Sequence, residues 1–302
     1  MTTHTHPPSS PKTSSIAKLS RLPVLYTPLM VAHTKSASPS AGKPEAAVES
    51  WLKLGIPLNI IAPEPVSTKD IARAHLSSHV DAVLSCQSDN GFGNRSAGVA
   101  KSLPYTSGAM LASAREAMRN GRAAAAPCSG FHHAAYGRVS GFCTFNGLMI
   151  AAMALHEAGE VKRVGILDFD QHYGDGTDDI IRQLRIDWID HYTAGQQYRS
   201  PSDAVPFLKS IPDLIEGMKD CDVILYQAGA DPHINDPLGG WLTTAQLQER
   251  DSLVFEAAAK LGIPVGWNLA GGYQEPLSKV LSIHDNTMKE CARIHLLHES
   301  PA

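Results

Sequence analysis

The stretch RVGILDFDQHYGDGT, residues 163–177, passes without a break from an apolar run into a run of acids and histidine. Arg163–Leu167 is short, rich in aliphatic residues and bounded by polar ones, the pattern of a strand buried on both faces of a parallel sheet. Just beyond it, Asp168, Asp170 and His172 stand at i, i+2 and i+4, so an extended chain points all three to one side. Polar side chains grouped at the end of a buried strand are costly unless something satisfies them. Carboxylate and imidazole together suit zinc, and also manganese or iron. A surface loop whose acids solvate a turn accounts for the same residues.

Similar apolar runs recur along the chain. Pro23–Tyr26, Leu58–Ala62, Ala123–Ala126, Val223–Tyr226 and Val265–Leu269 read as further strands, and helical stretches lie between them. Ser67 with Asp70 forms a capping box before an amphipathic run to His75. Met110–Arg119 is helical and ends at Asn120-Gly121. Phe145–Ala158 closes at Gly159, Thr243–Leu261 closes at Gly262, and a last helix covers about Pro276 to Leu297. Strand–helix alternation of this kind implies an α/β fold, an open parallel sheet with helices on both faces. There is no internal repeat and no linker after residue 22, so the expected organisation is one domain, 22–302, behind a flexible tail, 1–21. Thr34–Lys43, rich in Ser, Gly and Pro, reads as a surface loop.

The 302 residues carry a net charge of -4 with 14 histidines uncounted, which leaves no general basic footprint for nucleic acid. No apolar run approaches the ~18–20 residues that cross a bilayer. The five cysteines are scattered and form no C-x-x-C pair, which argues for a reducing compartment such as the cytoplasm. The start of the chain is rich in Ser, Thr, Pro and His, and its first acid is Glu45. An organelle transit peptide has such a composition, but a disordered tail is the plainer reading. Nothing in the sequence sets the oligomeric state.

In open parallel sheets, ligands gather outside the carboxyl ends of the strands. Three more loops there carry chemistry. Gln227-Ala228-Gly229-Ala230-Asp231 follows one strand; a catalytic zinc needs three protein ligands and one open position, and Asp170, His172 and Asp231 supply three from two strand ends. A helix cap or turn explains Asp231 in isolation. Ser129-Gly130-Phe131-His132-His133 follows another strand; histidine suits general acid–base work because its pKa lies near neutrality, and Asp168 and Asp175 are spare acids for orienting the rings. Ordinary loop histidines are the alternative. After the last strand, Gly271 and Gly272 let backbone approach a site closely, and Tyr273 can donate to a developing oxyanion or simply pack after a turn. Each signal alone is modest; together the four complete one metal-hydrolase site.

Five blocks, SGFHHA (129–134), GFCTFN (141–146), ILDFDQHYGDGT (166–177), AGADPHINDPLGG (228–240) and AGGYQ (270–274), resemble the signature blocks of histone deacetylases and their bacterial relatives, in the same order. The stretch from 229 into Gln248-Glu249-Arg250-Asp251 looks most like the smaller class IV members. The resemblance implies an arginase/deacetylase fold with about eight parallel strands and one catalytic zinc on Asp170, His172 and Asp231. It implies His132 backed by Asp168, His133 backed by Asp175, Tyr273 as catalytic tyrosine, and Phe142, after Gly141, as an aromatic wall of the substrate tunnel. Gly271 belongs with Tyr273 in the substrate-binding set. Asp89, in a stretch of Asp, Asn and Gly, matches a rim acid that grips substrate backbone in the family, and a plain turn explains it equally.

Tyr173 stands where many members have a second histidine. The stretch Trp188–His191 lacks the Ser or Thr that would complete a potassium site, which leaves that site in doubt. His191 receives no role, and Cys143 reads as a buried thiol. The expected activity is zinc-dependent removal of an acyl group from an amine: acetyl- or longer acyl-lysine in a protein or peptide. Acetylated polyamines are the alternative substrate, and a non-catalytic acyl-lysine binding module is the alternative role.

Overall fold

The computed structural model describes residues 17–297. Its sheet has seven strands: β1 (Leu22–Leu25), β2 (Leu58–Ile61), β3 (Ala123–Ala126), β4 (Val164–Asp168), β5 (Ile189–Thr193), β6 (Val223–Gly229) and β7 (Val265–Ala270). All pair in parallel in the order β2-β1-β3-β7-β6-β4-β5. Side chains alternate between the two faces with the period of a strand. Ala123, Ala125, Ile224, Tyr226, Val265, Trp267 and Leu269 enter one apolar cluster, while Ala124, Ala126, Val223 and Leu225 enter the other.

The first cluster is closed by α1 (Lys43–Leu52), α7 (Ala204–Gly217), α8 (Thr244–Leu261) and α9 (Ser278–His295). The second is closed by α2 (Thr68–Ala74), α3 (Ser77–Leu84), α4 (Ala97–Asn120), α5 (Gly147–Glu157) and α6 (Asp175–Leu184). On that face Ala124, Ala126 and Gly266 present little side chain to α4. A Cβ on Gly266 would lie 2.9 Å from the backbone nitrogen of Ala114, so helix and sheet are in close contact. Trp267 fills the opposite face, its ring 5.5 Å from that of Trp51 and 6.0 Å from that of Phe255.

Several expectations need correction. The sheet has seven strands among the described residues, not about eight. β5 reads IDHYT, too polar to stand out as an apolar run, because it lies at the sheet edge. The helix expected from Met110 begins at Ala97, capped by Ser96, and runs through Pro104 to the left-handed Gly121. The proline hides a helix whose first turns are otherwise regular. The domain also starts before residue 22: Leu19 N donates to His295 O at 2.8 Å, and Leu297 N donates to Leu19 O at 2.9 Å. The rest of the expected tail, 1–16, lies outside the described residues. Lys43, placed in a surface loop by its neighbours, is fully buried at the start of α1. No helix among the described residues is long and apolar enough to cross a membrane, and the five cysteines are unpaired.

Trp267→Ala would open a large cavity between the sheet and α1, α8 and α9. Replacing a buried aromatic by alanine costs about 3–5 kcal/mol. Urea unfolding should show a midpoint lowered accordingly; an unchanged midpoint would contradict the packing described.

Candidate metal centre and its cavity

The four central strands, β3, β7, β6 and β4, are consecutive in the sheet, and each sends a loaded loop from its carboxyl end. Asp168 closes β4; Asp170 and His172 follow it. Asp231 follows β6, His132 and His133 follow β3, and Gly271 and Tyr273 follow β7. Their side chains meet around a cavity of about 170 Å³ lined by His132, His133, Asp170, His172, Phe142 and Tyr273 among others.

His172 Nδ1 lies 3.2 Å from Asp170 Oδ1 and 3.1 Å from Asp231 Oδ2. One ligand atom from each of the three residues falls within 4.8 Å of the others. Both carboxylates are buried, whereas His172 is partly open to the cavity. Burial, followed by the neighbouring Asp170, raises the Asp231 carboxyl well above the usual range. Burial acts the same way on Asp170 but is outweighed by His132 and His172, which hold it low. Hydrogen bonds to these two acids push His172 up to about 10. Two buried carboxylates and an imidazole converging on one point form an oxygen- and nitrogen-donor set that fits a divalent cation such as zinc.

The histidine pair is held by different acids. His132 Nδ1 is 2.6 Å from Asp168 Oδ2, and His133 Nδ1 is 2.6 Å from Asp175 Oδ1. Carboxylates accept only, so Nδ1 is the donor in each ring and Nε2 is turned to the cavity side. His132 Nε2 reaches to 3.5 Å from Asp170 Oδ1. Burial opposes the charged form of His132, but Asp168 and then Asp170 outweigh it and lift its pKa to about 9. His133 is lowered, first by burial and then by the charge of His132, with Asp175 opposing. Asp168 is itself fixed, since Gln227 Nε2 donates to its Oδ1 at 2.8 Å while Gln227 Oε1 accepts from Phe131 N at 2.9 Å.

Across the cavity, Tyr273 N donates to Asp236 Oδ2 at 2.8 Å, and burial keeps the phenol protonated. The Tyr273 and Phe142 rings are 5.7 Å apart. Two glycines make room for these groups. Gly271, at φ +48°, would place a Cβ 2.2 Å from Asp231 Cγ, and Gly141, at φ +52°, would place one 2.3 Å from His133 Cδ2. Any side chain at either position displaces a site residue, and both backbone conformations favour glycine.

The structure thus brings together all the expected site residues except Asp89. That residue is exposed, paired with Arg95 at 2.8 Å, and lines no part of the cavity; its turn of small polar residues accounts for it. Cys143 lines the cavity but is buried, its Sγ 3.3 Å from Gly130 O. His191 is held by Asp178 at 2.6 Å, and the Tyr173 hydroxyl donates to the same carboxylate. Thr193, two residues past the stretch 188–191, has its Oγ1 accepting from Gly174 N at 3.0 Å. Sequence reasoning gives no role to Gln227, Asp236 or Arg250, although all lie in stretches quoted above. Lys43 was masked by its Ser- and Gly-rich surroundings. Its ammonium donates to Gly271 O and to Ser129 Oγ, and burial brings it down to about 8 against the pull of Asp231, Asp170 and Asp236.

The profile of the histone deacetylase domain matches residues 40–198, more than half of the chain. The protein therefore belongs to the histone deacetylase domain family. It is 28% identical over 207 residues to an uncharacterized protein of Picosynechococcus, covering 63% of this chain and 68% of that one. It is 30% identical over 195 residues to a probable deacetylase of Methanothermobacter thermautotrophicus, covering 55% of this chain and 57% of the relative. It is 42% identical over 78 residues to acetylpolyamine amidohydrolase 1 of Pseudomonas aeruginosa, covering 25% and 22%. The chain spans about half to two thirds of the length of the first two of these relatives. The fold is similar to that of the HD domain of HDA15 (TM-score 0.73, 20% identity, 89% of this chain and 90% of that one). It is also similar to acetylpolyamine aminohydrolase from Burkholderia pseudomallei (TM-score 0.68, 16% identity, 90% and 99%).

Gly271→Ala tests the crowding around Asp231. Divalent-metal affinity, read by competition with a coloured chelator, should fall on the order of 10-fold or more, as when groups supporting a ligand are disturbed. Wild-type affinity in the folded variant would show that the loop yields at no cost to the site.

Proposed function

We propose that this protein is a metal-dependent deacylase that hydrolyses the amide of an acylated amine. The observation that carries this reading is the convergence of Asp170, His172 and Asp231 with the His132–His133 pair and Tyr273 on one cavity. Zinc suits the three donors, with iron or manganese as substitutes. When bound there, the cation polarises the amide carbonyl and makes a nearby water more acidic.

The chain's own residues then divide the work. His133, with Nδ1 committed to Asp175, offers the Nε2 lone pair and takes a proton from the attacking water. Attack on the carbonyl carbon develops negative charge on its oxygen, and the Tyr273 hydroxyl donates to that oxygen. The C–N bond then breaks as His133 Nε2 returns a proton to the leaving nitrogen, giving a carboxylate and a free amine. His132, positively charged between Asp168 and Asp170, offsets the acids around the cavity and keeps the proton traffic on His133.

Phe142 and Tyr273 suit the apolar stem of an acyl-lysine, and the exposed Leu238 adds an apolar residue at the cavity. A small hollow lined by Met30, Val99, Leu103 and Phe145 borders the cavity through Ser40, Ser129, Gly130 and Phe142. Its apolar lining favours acyl groups longer than acetyl as additional substrates. Acetylated polyamines are a second reading, supported by the similarity to acetylpolyamine amidohydrolase 1.

Purified protein should hydrolyse at least one of an acetyl-lysine peptide, a long-acyl-lysine peptide and an acetylated polyamine, and a chelator should stop it. Turnover that a chelator leaves untouched would overturn the metal-dependent reading, and metal-loaded protein inert to all three would overturn the substrate class. Tyr273→Phe should retain metal while its rate falls on the order of 100-fold or more. Full activity in that variant would remove Tyr273 from the mechanism.

A further inference from the structure

Arg250 lies on α8, fully buried and away from the cavity lining. Its Nε and Nη2 lie 2.9 and 2.8 Å from Asp251 Oδ1. Asp251 is in turn held by the Tyr226 hydroxyl and by Thr287 Oγ1, which donates to Oδ2 at 2.6 Å. The remaining nitrogen, Nη1, donates to two backbone carbonyls: Gly229 O at 2.6 Å and Phe169 O at 3.2 Å.

Those carbonyls belong to the ends of β6 and β4, which are neighbours in the sheet. Phe169 immediately precedes Asp170, and Gly229 stands two residues before Asp231. The opposite side of each peptide is also engaged. Asp170 N donates to Asp168 Oδ1 at 3.2 Å, and Ala230 N donates to Ala270 O at 2.9 Å. Both peptide planes are therefore clamped at C=O and at N–H: the one that leads directly into Asp170 and the one that ends a residue before Asp231.

Stability alone is a poor account of this arrangement. Desolvating a buried ion pair can cost more than its attraction returns, and apolar residues of similar volume often serve stability as well or better. The neighbours of this pair on α8, Leu247, Val254 and Phe255, are buried and apolar. What an apolar substitute lacks is a planar fork able to hold an acid on one edge and two carbonyls with its remaining nitrogen. We infer that Arg250 is a positioning residue for the metal centre, presetting Asp170 and Asp231 by tying together the two strand ends that carry them. The inference rests on the metal-centre reading above.

The test uses full-length protein stripped by a chelator and titrated with zinc against a coloured competitor. Cobalt absorption reports ligand geometry, and the unfolding temperature of the metal-free form reports stability. Two variants are compared with wild type: Arg250→Lys, and the pair Arg250→Met with Asp251→Asn, which removes both charges while leaving Tyr226 and Thr287 a partner. Zinc affinity should fall by about 10- to 100-fold in both, the range seen when outer groups that orient ligands are lost. The cobalt spectrum should change, and the paired variant should keep an unfolding temperature near that of wild type. Wild-type zinc affinity and an unchanged cobalt spectrum in either folded variant would overturn the inference. So would loss of folding in both variants that zinc does not restore, which would assign Arg250 to stability. Wild-type protein that binds neither zinc nor cobalt would instead overturn the metal-centre reading itself, and this inference with it.

Discussion

Asp170 and Asp231 are buried carboxylates projecting from neighbouring strand ends into one small volume. Two like charges about 4 Å apart repel by about 4 kcal/mol at an effective dielectric near 20, and burial adds to the difficulty of keeping both ionised. Much of the surrounding chain answers that constraint. His132 and His172 touch the acids directly, the buried ammonium of Lys43 lies close enough to be held charged partly by them, and the Arg250 guanidinium sits behind both strand ends. A divalent cation completes the same balance, which is why the donor set fits one. The parallel sheet makes this crowding feasible, because the ends of two neighbouring strands deliver both acids from a rigid base.

The histidine pair shows how position divides similar side chains. His132 and His133 are consecutive, their rings 4.1 Å apart, and each is hydrogen-bonded to an aspartate. The difference lies in what else they face. His132 is buried against Asp168 and Asp170 and takes up charge. His133 loses affinity for a proton, first through burial and then through the charge of His132. A charged neighbour that keeps a base neutral suits that base to accept a proton in the reaction.

The fold class and the residues around the cavity were legible because both are local patterns. A buried parallel strand is an apolar run, and a loop at its carboxyl end shows its acids and histidines in plain spacing. Elements whose meaning depends on partners distant in sequence were not. β5 looks polar because an edge strand is covered on one side only. Lys43 sits in a Ser- and Gly-rich stretch, and its contacts with Ser129 and Gly271, both distant in sequence, show it to be interior. In the sequence Arg250 stands only within a stretch that resembles class IV members, and nothing there ties it to Phe169 and Gly229, which the sheet places against it. Asp89, for which a rim position and a plain turn were equal readings, is exposed and paired with Arg95 outside the cavity lining.

The wall of the cavity carries a cost that bears on the same question. Ser140 and Cys143 face each other across a tight turn, with Cys143 N donating to Ser140 O at 2.7 Å. The two residues between them, Gly141 and Phe142, both have positive φ, +52° and +63°. A turn of this kind favours Gly, Asn or Asp at both central positions. A bulky aromatic there stores strain of about 1–3 kcal/mol, so packing alone would favour a smaller residue. Gly141 in that conformation clears His133, and Phe142 in that conformation sets its ring against Tyr273 and Phe92. One turn therefore clears His133 and supplies the apolar wall opposite Tyr273. Relaxing it would move both at once, which gives a physical reason for an aromatic residue to stay where asparagine would sit more easily.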